Sequence, residues 1–218
     1  MSRQTADEIR RLSARLEGQS ARVLKQVEAA AGSLTESVKS EGFEEREAEI
    51  DREEVLLEEE CLKVMALHHP IGADLRFLAT LLRANGDLER AADHALGVYT
   101  LCQPLSGCAP DSLVLLSRGA ALLLGQAVQA LLERDPHQAA QVLEANVRLH
   151  ALSEAALRQA RTHAETSDSA ALDKAFLMVR IALDLRRIGD LASNLAEDAL
   201  YLEKGSIVRH GGAIGLGG

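Results

Sequence analysis

Asp87-Leu88-Glu89-Arg90-Ala91-Ala92-Asp93 returns as Asp184-Leu185-Arg186-Arg187-Ile188-Gly189-Asp190, a period of 97 residues (184 − 87) in a chain of 218. A period close to half the chain length predicts two copies of one unit. The copies differ in one respect that matters chemically: Glu89 stands four residues before Asp93, whereas Arg186 stands four before Asp190. Two acids in the first copy become an acid and a cation in the second.

Outward from this repeat, the composition specifies the kind of unit. Apolar residues make up 47% of the chain but aromatics only 2%, with no Trp, so the core must come from Leu, Ala, Val and Ile on amphipathic helices. The four prolines, Pro70, Pro104, Pro110 and Pro136, fall at helix starts or in connectors, where a missing N–H costs little. Periodicity and Gly/Pro/Ser breaks predict six helices over about 4–40, 43–68, 71–103, 111–134, 136–165 and 168–205. In the fourth, Leu113, Leu116, Ala120, Leu123, Ala127 and Leu131 form a buried stripe. Asp135-Pro136 reads as an N-cap followed by Pro at the first helical position, and Ser167 or Asp168 as the cap of the sixth helix. The expected fold is all-α: two tandem antiparallel three-helix bundles, residues 1–105 and 106–208, joined through the connector 103–110. A Gly-rich stretch, 209–218, follows as a mobile tail.

A net charge of −9 argues against nucleic acid as a partner, since such proteins concentrate Lys and Arg on a phosphate-facing stripe. No apolar run approaches the roughly 18 residues of a membrane span, the richest stretch, 120–132, being broken by Gln126 and Gln129. The charged N-terminus, 1–15, lacks the apolar core of a secretory signal, so a cytoplasmic location is expected. Cys61, Cys102 and Cys108 show no CxxC spacing and read as reduced, inert thiols.

The chemistry lies in the acids. Glu89 and Asp93 share a helix face, their Cβ atoms about 5–6 Å apart, and Glu47 and Asp51 repeat the spacing on the second helix. Asp51 lies 19 residues before Pro70 and Glu89 lies 19 after it, so an antiparallel hairpin about that turn brings the two combs together. Four converging carboxylates either take up protons or hold a cation, and oxygen donors in this number suit Mg²⁺, Mn²⁺ or iron, with Ca²⁺ as a further candidate. The alternative is a solvated acidic face on the Glu-rich helix 44–60. The matched distance from the turn favours the metal. In the second half the corresponding positions are Asn146, His150, Arg186 and Asp190, a set nearly balanced in charge. Arg186 is expected to pair with Asp190 at i+4, leaving that site without metal.

With these motifs in view the chain resembles the PhoU family of phosphate-transport accessory and regulatory proteins. His69-Pro70-Ile71-Gly72-Ala73-Asp74-Leu75-Arg76 is similar to the family's Pro-x-x-x-Asp-Leu-Arg signature, 87–93 to its acidic Leu-Glu-Arg-x-x-Asp motif, and 193–205 to its C-terminal end. The resemblance spans about residues 5–210 and implies two three-helix bundles, metal clusters held by ExxxD motifs and a homodimer. It further implies contacts with the ATPase of a phosphate ABC transporter and with a sensor histidine kinase, and repression of the phosphate-starvation response when phosphate is plentiful. Carried over by position, the implied ligands of iron, Mn, Mg or Zn are Glu47, Asp51, Glu89 and Asp93; in the second half only Asp190 matches.

Two other classes compete with this non-enzymatic reading. A carboxylate-bridged dimetal enzyme in a bundle uses Glu-x-x-His. The residues three before each histidine are Met65, Ala66, Ala91, Arg134, Val147, Ala160 and Ile207, none of them Glu. No GxxxxGK[ST] or GxGxxG loop supports a nucleotide enzyme. The remaining alternative is a helical adaptor with no functional metal.

Overall fold

The computed structural model describes residues 3–35, 42–105, 109–165, 169–204, 208–209 and 212–213. Six helices carry the fold: α1 (Arg3–Gly32), α2 (Phe43–His68), α3 (Ala73–Cys102), α4 (Asp111–Glu133), α5 (Pro136–Ala164) and α6 (Ser169–Lys204), with a 3-10 turn at Gln103–Leu105. Two two-residue strands follow, β1 (Val208–Arg209) and β2 (Gly212–Ala213), paired antiparallel. Of the stretch 209–218 expected to be a mobile tail, Arg209, Gly212 and Ala213 thus take part in a short backbone ladder with Val208. The anticipated sixth-helix caps Ser167 and Asp168, and Cys108, lie outside the described residues.

Local chemistry fixes the ends. Asp135 Oδ1 accepts from the backbone N–H of His137 (2.8 Å) and Gln138 (3.2 Å), with Pro136 at the first helical position of α5. α2 closes on His69 and α4 on Arg134, both left-handed, with φ of 44° and 54°. Each returns its N–H to the preceding turn, His69 to the Met65 carbonyl and Arg134 to those of Ala130 and Leu131. Gly42 and Gly72 supply positive φ where α2 and α3 begin.

α1, α2 and α3 pack on one another, as do α4, α5 and α6, and each trio is antiparallel. Arg15 meets Glu53 and Gln26 meets Glu47 between α1 and α2; Ser112 meets Gln159 and Gln129 meets Gln138 between α4 and α5. The trios join through α3 against α6 and α1 against α4. Both helices carry buried small residues, Ala84, Ala91, Ala92 and Ala95 on α3 and Ala182, Ala192, Ala196 and Ala199 on α6, all at 0% exposure, and the α3/α6 seam is crossed by Arg83–Asp198 and His94–Asp184. One apolar core runs through both bundles, so the repeat makes two bundles on a shared interior.

The whole predicted α4 stripe is buried. One expectation needs correction: by length and composition α4 does qualify as a membrane-spanning candidate, because its long apolar residues outweigh the two glutamines. Half of that window is buried within the fold, as in a core helix.

Candidate functional site

The register of α2 against α3 is set by Asn85, whose Nδ2 donates to the Glu54 carbonyl at 2.8 Å from an almost fully buried position. With that turn fixed, the residues further along α3 meet those nearer the start of α2. Asp93 lies within hydrogen-bonding reach of both Glu47 and Glu89, and Asp51 raises the pKa of both glutamates through space. The counting from Pro70 therefore places the four predicted acids on one α2/α3 face. Glu47 and Glu89 are half-buried, while Asp51 and Asp93 reach solvent.

This arrangement is electrostatically unfavourable for four ionised groups. Burial, opposed by a hydrogen bond from Gln26 and reinforced by Asp51 and Asp93, pushes Glu47 up to about 7. Burial, then Asp93, Glu54 and Asp51, pushes Glu89 up to about 6. Glu54 is also raised, by burial and by Glu58 and Asp51. Apart from Gln26, the side chains that act most strongly on these three among the described residues are other carboxylates. Among the described residues no three His, Cys, Asp or Glu side chains are gathered tightly enough to hold one metal ion as they stand. The carboxylates meet in pairs through Asp93. The donor set, hard carboxylate oxygen, fits a hard cation, and shared ligation would draw the pairs closer.

Two residues of this face were not anticipated. Glu54 continues the comb, since 47, 51 and 54 stand at i, i+4 and i+7 on one helix stripe, a signal present in the sequence. Gln26 comes from α1, and its Nε2 donates to Glu47 Oε2 at 2.6 Å. Nothing in the local spacing points to it, because Gln26 stands 21 residues before Glu47 and no proline between α1 and α2 marks a point from which their register could be counted.

In the second half the structure redistributes the pairs. Asp190 binds His150, Oδ1 to Nε2 at 2.8 Å, with Arg187 3.9 Å away, and Arg186 reaches across to Glu154 at 3.4 Å. The expected Arg186–Asp190 pair is therefore replaced by interhelical partners, because α5 offers each side chain an opposite partner nearer than its own i+4 neighbour. Across α5/α6, His150 stands opposite Asp190 as Glu47 does opposite Asp93, and Glu154 opposite Arg186 as Asp51 does opposite Glu89, so the counterparts of Glu47 and Asp51 are His150 and Glu154, one helical turn later than the expected Asn146 and His150. Asn146 lies one turn away, its Nδ2 3.5 Å from His150 Nε2.

The first aspartate of each heptapeptide has a different place. Asp87 is buried at the α3/α6 seam with Arg90 and Asn194, and Asp184 meets His94 Nδ1 at 3.0 Å in the space left by Gly97. The thiols behave as expected where described: Cys61 and Cys102 are free and buried, and burial pushes Cys61 up to about 12.

Comparison with known proteins adds the family. The PhoU domain model matches twice, over residues 20–99 and 113–199. A Deinococcus radiodurans protein named phosphate-specific transport system accessory protein PhoU homolog is 32% identical over 162 residues, covering 72% of this chain and 76% of that one. A Pseudomonas aeruginosa protein of the same name is 29% identical over 197 residues, 86% of this chain and 80% of its own length. The crystal structure of PhoU from Pseudomonas aeruginosa superposes with a TM-score of 0.85 at 25% identity, over 92% of this chain and 99% of that one. That of the phosphate transport system regulatory protein PhoU from Streptococcus pneumoniae has a TM-score of 0.82 at 21% identity, over 94% and 99%, which bears on the fold alone.

Proposed function

The chain belongs to the PhoU family, and from that membership we propose that it is a non-enzymatic accessory and regulatory protein of a phosphate-specific transport system. The observation that carries this reading is the double match, one PhoU domain on each bundle, within a fold that aligns almost end to end with a PhoU crystal structure. We place it in the cytoplasm as a homodimer, contacting the ATPase of a phosphate ABC transporter and a sensor histidine kinase. Its effect there is to repress the phosphate-starvation response when phosphate is plentiful.

A hard metal ion is the second part of the proposal. Glu47, Asp51, Glu89 and Asp93 are the residues that would hold it, with Glu54 adjacent, and Mn, Mg, iron and Zn are the candidates. When bound, such an ion supplies positive charge to the face. The protein's own contribution is positional: Asn85 ties α3 to the α2 backbone and Gln26 of α1 donates to one oxygen of Glu47. The second bundle, with His150, Asp190, Arg186 and Glu154 already paired, is proposed to hold no metal.

The regulatory reading is tested by deleting the gene and following a phosphate-starvation reporter in phosphate-replete medium. Derepression on deletion, reversed by the wild-type gene, is expected; an unchanged reporter would refute the role. Elemental analysis of chelator-free protein tests the metal. The wild type should carry metal that a Glu89→Ala/Asp93→Ala variant lacks, and equal trace content in both would remove this part.

A further inference from the structure

We propose that the cavity where the two bundles meet, lined by Arg134, Thr80 and Ser13, is a binding site for a small tetrahedral oxyanion the size of phosphate or sulfate. The site is separate from the acid face and requires no metal there.

The cavity measures about 40 Å³ and draws on four helices: Ser13 comes from α1, Phe77 and Thr80 from α3, Arg134 from the end of α4 and Leu202 from α6. A single water needs about 10–15 Å³ of such space, so there is room for roughly three waters or one compact ion, and far too little for a nucleotide. None of the lining residues is acidic. The acids next to Arg134 in sequence are engaged elsewhere, Glu133 with Gln129 and Asp135 at the start of α5.

What the lining offers is unspent donors. The Arg134 guanidinium lies 5.1 Å from the Phe77 ring centroid, a contact between the bundles, and has no carboxylate partner among the described residues. Arg83, three residues along α3 from Thr80, has by contrast committed its charge to Asp198. Thr80 is 2% exposed; its Oγ1 accepts from Arg83 Nη2 at 3.1 Å, and its own proton reaches no acceptor among the described residues. Thr35, Thr100 and Thr162 instead donate to the carbonyls of Gly32, Leu96 and Arg158. A nearly fully buried hydroxyl proton left unmatched is costly, and it lines the same cavity as the guanidinium. Ser13 adds a half-buried hydroxyl from the opposite wall. Arginine supplies charge and a planar fork of N–H groups, the hydroxyls supply directed hydrogen bonds, and an oxyanion accepts both. A water-filled cavity is the plain alternative, since water would meet the two hydroxyls equally well; only an anion also answers the charge of Arg134. Because α1 and α3 belong to one bundle and α4 and α6 to the other, a bound ion stabilises the junction of the repeats.

The test is calorimetric titration of potassium phosphate and potassium sulfate into the full-length protein at constant ionic strength, alongside melting curves, for wild type, Arg134→Gln, Thr80→Val and Arg118→Gln. Both oxyanions should bind the wild type saturably and raise its melting temperature, and potassium chloride of equal ionic strength should not. Arg134→Gln should weaken binding by about 10-fold or more, the loss expected for one charge-assisted hydrogen bond. Thr80→Val keeps the shape and removes the hydroxyl; it should weaken binding by about 5-fold, and it keeps the site testable if Arg134→Gln does not fold. Arg118, exposed on α4 and about four turns from Arg134, is the control, and Arg118→Gln should bind as the wild type does. Absence of saturable uptake by the wild type would leave a water-filled cavity and overturn the proposal. Equal weakening in Arg118→Gln, the mark of a diffuse charge effect, would do the same. So would full affinity in Thr80→Val, which would put the ion outside the cavity on Arg134 alone.

Discussion

Glu47 and Glu89 are the residues on which the acid face turns, because they are half-buried while their partners Asp51 and Asp93 reach solvent. Their folded pKa values, about 7 and about 6, lie above the ordinary 4.5. A carboxyl raised on folding contributes stability that is present below its unfolded pKa and lost as pH rises through its folded value. Chelator-treated protein should therefore melt at progressively lower temperature between about pH 4.5 and pH 7 from this source. A Glu47→Gln/Glu89→Gln variant should show a flatter profile over that window, and identical slopes would contradict the assignment. Two glycines give a second residue-scale test. A Cβ on Gly97 would come within 3.0 Å of Asp184 Oδ2, whereas one on Gly86 meets nothing within 4 Å. Gly97→Ala makes the Asp184 carboxylate, held at Oδ1 by His94 Nδ1, give way at Oδ2, so it should forfeit part of the gain that Ala brings to a helix. Gly86→Ala should gain about 0.5–1 kcal/mol through helix propensity; denaturant titration should show Gly86→Ala as the more stable of the two, and equal gains would mean that Asp184 yields freely.

At the scale of the helix, ends and registers decide what the residues can reach. His69 closes α2 at φ 44°, a conformation that costs an ordinary L-residue about 1–2 kcal/mol. His69→Gly should raise the melting temperature, reflecting about 1 kcal/mol. Arg134 occupies the same conformation, but its guanidinium lies 5.1 Å from the Phe77 ring centroid, so Arg134→Gly forfeits that contact and should gain less. Equal gains at the two caps would argue against a contribution from the ring. These ends also show why much of the fold was legible in advance. Pro70, Asp135-Pro136 and Pro110 mark boundaries that backbone chemistry enforces, and a tight turn at Pro70 let the α2/α3 register be counted. The α1/α2 and α5/α6 registers had no such marker, which is why Gln26 was missed and Arg186 was assigned to Asp190 instead of Glu154. An i+4 rule describes one helix; in a packed bundle the neighbouring helix competes for the same side chain.

The whole molecule is held together where the repeats meet. At the α3/α6 seam Arg83 donates to Asp198 Oδ1 from Nε at 3.0 Å and from NH2 at 2.5 Å, with Thr80 Oγ1 3.1 Å away and the Tyr201 ring centroid 5.3 Å from the guanidinium carbon. Burial raises the pKa of Asp198 and Arg83 opposes the rise, so the aspartate depends on this one strong partner. The side chain of Asp198 is 12% exposed and that of Arg83 42%. Arg83→Met would leave a buried carboxylate without its cation, a change worth about 3–5 kcal/mol for a fully buried pair. Solvent around the outer part of the arginine reduces the expected loss to about 2 kcal/mol, a fall of roughly 4–8 °C for a chain of this size. Because an unpaired Asp198 can be relieved by protonation, the deficit should shrink in acid. Arg83→Met/Asp198→Leu, which removes the charge with its partner, should recover most of the loss. A double variant no more stable than Arg83→Met would mean that the arginine acts through its packing on Tyr201. In that case the seam joining the two repeats is held by stacking and small-residue contact and owes little to the ion pair.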